Sequence, residues 1–173
     1  FQDNSPAGKG HYVIDALHRG ASRVTESGIA ALPTDKETGN LTTVATYAGR
    51  VFYSGISSSV ESGDSKSPFY SGFVFFTQVA TSTDALDKCY MSADPTSPEI
   101  SDIIDTDGGT IQLPDITKVV KLVSTKSSLL VFAENGVWEI FGDLGGFKAT
   151  SFQASKVTSI GTESPRSIIE VNG

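Results

Sequence analysis

The segment LLVFAENGVWEIF, residues 129–141, restricts the fold of this chain more than any other. The pair Asn135-Gly136 divides two runs rich in aliphatic and aromatic side chains. Both central positions of a two-residue type I′ turn need positive φ, which Asn and Gly tolerate, so a β-hairpin turning at Asn135-Gly136 is expected. In that register Glu134 pairs with Val137, Ala133 with Trp138, Phe132 with Glu139, Val131 with Ile140 and Leu130 with Phe141. Side chains alternate across a strand. One face then carries Leu130, Phe132, Glu134, Val137, Glu139 and Phe141. The other carries Leu129, Val131, Ala133, Trp138 and Ile140. Both are mostly apolar, and a sheet with two apolar faces must be covered on both.

Similar segments recur. LTTVATYAGRVFYSGI reads as strand, tight turn at Ala48-Gly49-Arg50, and strand. GFVFFTQVA is apolar at consecutive positions, the mark of a strand buried on both faces. CYMSA, ITKVVKLVST, SSLLVFAEN, GVWEIFGD, GFKATSFQAS and SIIEVNG are further β-like runs, with turns at Lys126-Ser127-Ser128 and Leu144-Gly145-Gly146. The one helical signal is Ser97-Pro98-Glu99, a cap followed by proline, ahead of Ile100, Ile103 and Ile104 on one face. The expected fold is therefore all-β: an antiparallel meander of small stacked sheets with one short helix near 98–104. Radially stacked propeller blades cover both faces of each sheet, so part of a β-propeller is preferred to a plain sandwich, whose outer faces are polar.

Residues 1–40 are rich in Gly, Ser, Asn, Thr and Asp, with a single amphipathic piece from His11 to His18. They read as an extended arm or linker, and residues 41–173 as the propeller-like domain, a fragment of a larger subunit. No apolar run reaches the roughly 18 residues of a membrane-spanning segment. One cysteine, Cys89, excludes an internal disulfide framework and a multi-thiolate zinc site. The formal net charge is -7, which repels nucleic acid phosphates. That argues against gripping DNA, and leaves open a wall past which DNA slides.

Three constellations bear on chemistry. Glu134 and Glu139 share a face in the expected register and flank the only tryptophan, an arrangement within reach of glycosidase carboxylates. A glutamate beside a turn and another at a sheet position are ordinary structural residues, so no catalytic residue is assigned and the chain is read as a non-enzyme. DTDGG, Asp105 to Gly109, opens like a calcium loop, but the closing acid of an EF-hand falls on Ile116. Asp105 and Asp107 are the metal candidates; a tight turn is the simpler reading, and no metal or cofactor is expected. Asn135, Gly136 and Trp138 are read as structural: the first two turn the hairpin, and the last wedges between sheets.

Taken in order, GRVF (Gly49 to Phe52), DPTS (Asp94 to Ser97), LVFAENGVWEIFG (Leu130 to Gly142) and the stretch from Gly161 to Pro165 resemble the tail nozzle proteins of short-tailed bacteriophages, the tail tubular protein B type. The resemblance spans about residues 41–170. Each motif alone is β-strand grammar; their order carries the likeness. It implies propeller-like blades and a virion location in the phage tail. It further implies copies of the chain assembled in a ring, contacts with tail adaptor and tail fibre proteins, and a channel for genome ejection that DNA crosses without specific binding. It brings no catalytic residues. The alternative is a glycan-binding β module of a phage tail or cell-surface protein, using exposed aromatics. A hydrolase built on Glu134 and Glu139 comes third.

Overall fold

The computed structural model describes residues 24–25, 28–29, 41–55, 72–86, 88–92 and 103–171. A minimal pair, β1 (Val24–Thr25) with β2 (Gly28–Ile29), lies within the expected arm. The expected amphipathic piece at 11–18 lies outside the described residues. Eight strands follow: β3 (Thr43–Tyr47), β4 (Arg50–Ser54), β5 (Phe73–Phe76), β6 (Gly109–Gln112), β7 (Val119–Ser124), β8 (Leu129–Ala133), β9 (Gly136–Phe141) and β10 (Gln153–Thr158). They form two four-stranded antiparallel sheets, ordered β3-β4-β5-β6 and β10-β9-β8-β7. Each sheet is a meander in which every strand pairs with its neighbour in sequence. The chain is mostly β, as its β-branched and aromatic runs require.

The two sheets pack with β3 and β4 against β7. Thr43 on β3 accepts a hydrogen bond through Oγ1 from the Leu122 amide on β7, at 2.9 Å. One core lies between them. Phe52, Val74, Phe76 and Ile111 face it from the first sheet, and Leu122, Leu129, Val131, Trp138 and Ile140 from the second. Strand β5 is buried at Val74, Phe75 and Phe76, on both its faces, as its unbroken apolar run predicts. Trp138 is 1% exposed.

The hairpin at the centre of the second sheet keeps its expected faces but not its expected register. Ala133 pairs with Gly136, Phe132 with Val137, Val131 with Trp138 and Leu130 with Glu139. The two turn residues are Glu134 and Asn135, and neither has positive φ. The shift is by two, so the alternation survives: Leu129, Val131, Ala133, Trp138 and Ile140 are buried, while Leu130, Phe132, Val137, Glu139 and Phe141 are half-buried. Gly136 opens β9 instead of ending the turn. A Cβ there would stand 2.5 Å from the Thr158 carbonyl of β10, so close sheet packing requires the glycine. Asn135 is tied elsewhere: its Nδ2 donates to the Asp115 carbonyl, and its Oδ1 accepts from the Thr117 amide at 3.2 Å. The two-residue turn with positive φ at both centres is instead Ala48-Gly49, at 49° and 71°.

Other expectations are corrected. The helix near 98–104 falls largely outside the described residues, and its described end, Ile103 and Ile104, is not helical. Ile104 is claimed by the next loop: its amide donates to Asp107 Oδ2 at 2.9 Å, and its carbonyl accepts the Asp107 amide at 3.0 Å. The helical elements described are 3-10 turns at Thr83–Ala85 and Pro165–Ser167. The described residues of CYMSA, 89–92, form no strand, although the Gly108 amide donates to the Tyr90 carbonyl and the Gln78 amide to that of the preceding Lys88. Residues 168–171 of SIIEVNG form no strand.

Candidate functional site

Two charged side chains are buried among the described residues, Asp107 and Arg50, the arginine of GRVF, which is 2% exposed. Position 50 follows the Ala48-Gly49 turn and opens β4, where alternation directs it inward with Phe52 and Ser54. Burying a guanidinium is costly unless its donors are met. Here main-chain carbonyls meet those of the two terminal nitrogens. Nη1 donates to the carbonyls of Thr77 (2.7 Å), Thr106 (3.3 Å) and Asp107, and Nη2 to that of Asp105. The rings of Phe76 and Phe147 each lie 5.6 Å from the guanidinium carbon. Nε has no partner. Burial lowers the Arg50 pKa to about 10, opposed by the Asp107 and Asp105 charges.

DTDGG is thus a cation-binding loop whose cation is a side chain. The two candidate metal ligands diverge within it. Asp107 turns inward and is fully buried; its carboxylate accepts the Ser92 amide at 2.8 Å and the Ile104 amide. Asp105 turns outward to Lys148 Nζ at 2.9 Å and the Thr150 hydroxyl. That hydroxyl first, and Lys148 second, hold its carboxyl below the usual range. Among the described residues no group of three His, Cys, Asp or Glu side chains is placed to hold a metal ion.

The register also separates the two glutamates. Glu134 sits in the turn, 3.4 Å from Lys118 Nζ, and Glu139 pairs with Leu130 across the sheet. Four strand positions from Leu130 to Glu134 amount to about 13 Å of rise. Carboxylate pairs in glycosidases stand roughly 5–10 Å apart. Trp138 is no open platform either: it is buried, and Lys156 Nζ lies 4.7 Å over its ring.

Phe147 went unmarked in the sequence. It follows the tight turn Asp143–Gly146, where Asp143 Oδ1 accepts the Gly145 amide at 2.8 Å. The ring meets Phe52 and Phe76 edge-on at 5.2 Å and stacks on Phe152 at 5.3 Å. It closes the core beside the Arg50 cage. The signal was its place after Gly145-Gly146, in a run that reads as a strand.

Two openings on the surface are lined by described residues. One, of about 290 Å³, lies on the half-buried face of the second sheet between Phe132, Val137, Ile160, Ile168 and Ile169. The other, of about 390 Å³, is lined by Gly72, Phe73, Gln112, Leu113, Asp115 and Ile116. Comparison with family models, curated proteins and solved structures finds no match to this chain.

Proposed function

We propose that this chain is a structural virion protein, a wall-forming piece of the tail nozzle of a short-tailed bacteriophage. In this reading each four-stranded meander acts as one propeller blade, copies of the chain assemble into a ring with adaptor and fibre proteins beside them, and DNA passes without specific binding. One observation carries it. Two successive meanders lie with β3, the first strand of one, and β4 against β7, the first strand of the next. Blades set around an axis have this arrangement, each first strand innermost. The net charge of -7 suits a lumen that should not hold DNA. The protein then works mechanically and is not an enzyme. Native mass measurement with electron microscopy of the same sample tests this. Closed rings are expected; a chain that stays monomeric at every concentration reached would overturn it.

The glycan-binding alternative is favoured by the cleft at Phe73. An aromatic ring beside the Gln112 amide and the Asp115 carboxylate offers the contacts that a hydroxyl-rich ligand uses. Asp115 has φ 58°, a conformation uncommon for a residue with a side chain. Phe73→Ala should then abolish glycan retention without unfolding the chain. Equal retention by both proteins removes this reading.

A further inference from the structure

The groups that hold Arg50 are themselves held without it. The Thr106 carbonyl also accepts the Val79 amide at 3.0 Å, and the Asp105 carbonyl accepts the Ala149 amide at 3.2 Å. Asp107 is fixed through its carboxylate by two amides, and through its own amide by the Ile104 carbonyl. The Gly108 amide donates to the Tyr90 carbonyl at 3.2 Å, and a Cβ at Gly108 would stand 2.8 Å from both the Gln78 and Tyr90 nitrogens. Thr77 is anchored on β4 by its amide, which donates to the Val51 carbonyl at 3.0 Å, and by its Oγ1, which accepts the Val51 amide at 3.1 Å. The two aromatic walls are packed against each other and against Phe52.

A guanidinium is planar, carries its donors in a fixed fork and attracts aromatic faces. The site answers each property: carbonyls from two segments for the fork, and two rings beside the plane. We propose that residues 103–109, with Thr77, Phe76 and Phe147, form a preformed guanidinium receptor, separable from the arginine that fills it. Its ligand class is the guanidinium ion and its alkyl derivatives. The site joins one end of β4 to the loop before β6, so occupancy adds stability to a loop that is already held. An ammonium serves it less well, because a point charge cannot reach the Asp105 carbonyl and those of Thr77 and Asp107 in one fixed fork. This holds whatever the chain assembles into.

Arg50→Gly empties the site and tests the idea. Thermal unfolding of the variant is followed in millimolar guanidinium chloride and in sodium chloride of equal strength. A saturable rise in Tm is expected with guanidinium alone, at lower concentration with n-propylguanidinium, which restores the missing stem, and not for the unaltered protein. Arg50→Lys keeps the charge and should remain less stable than the parent. If Arg50→Gly does not fold in buffer, its refolding yield in the two salts is the readout, and a higher yield in guanidinium is expected. Identical responses to the two salts, or a lysine variant as stable as the parent, would overturn the receptor.

Discussion

Ala48 holds a left-handed conformation, φ 49°, that costs an L residue about 1–2 kcal/mol and glycine almost nothing. Replacing Ala48 by Gly or Asn should therefore raise stability, by about 1 kcal/mol, as a shift in the urea midpoint. A lower midpoint would show that the turn is relaxed as it stands. Trp138→Ala should cost about 3–5 kcal/mol in the same assay, since the ring is buried between the sheets. Asp105 contributes stability that is present at neutral pH and removed by acid. Its folded pKa lies below the usual value of 3.8, so its contribution is whole above that value and is lost as pH falls through the lowered one. Asp105→Asn should lower stability at neutral pH and flatten the acid limb of stability against pH, the two proteins converging at low pH. At this scale the sequence was half legible. Trp138 reads as core from its alternation alone. Asn135-Gly136 reads as a turn pair because the pairing rule is local, whereas Asn135 is bound by Asp115 and Thr117, and Gly136 is required by Thr158. Alternation with Phe52 points Arg50 inward, but the carbonyls that receive it lie far along the chain, and no local pattern reveals them.

Strands that bury a face announce themselves. β3, β4, β5, β7, β8 and β9 all fall within runs marked by β-branched and aromatic residues. β6 and β10 do not: β6 is four residues long, opens on Gly109 and has Ile111 as its one apolar side chain, and β10 exposes nearly every side chain. CYMSA and SIIEVNG have strand composition, yet their described residues, 89–92 and 167–171, form no strand. Beyond β10, residues 160–169 fold back over the half-buried face of the second sheet. The Thr162 amide donates to the Ala133 carbonyl at 2.9 Å, and a Cβ at Gly161 would collide with the carbonyls of Ala133 and Glu134. Gly161→Ala should lift this segment off the hairpin. Trypsin would then cut after Arg166 faster than in the parent, with little change in Tm. Unchanged cleavage would mean that the segment is held from elsewhere.

For the whole molecule, two sheets and their shared core were legible as stacked β structure, while the carbonyl cage joining β4 to the 103–109 loop was not. Charge gives a prediction at this scale. Copies carrying a net charge of -7 repel one another, and salt screens that repulsion. If copies join through apolar surface, their mean mass by light scattering should rise with ionic strength; a fall would mean that opposite charges hold them together.

The meander order also sets a timetable for folding. In the second sheet, short turns join β7 to β8 and β8 to β9, so closing them costs little chain entropy. In the first, residues 55–72 and 77–108 must be looped out before β5 and β6 can pair. The second sheet should therefore be largely formed at the folding barrier, and the first should join after it. In chevron measurements Val131→Ala on β8 should mainly slow folding, and Val74→Ala on β5 should mainly speed unfolding. The reverse assignment would place the nucleus in the first sheet. Both valines are fully buried, so loop length rather than core depth decides which of them matters first.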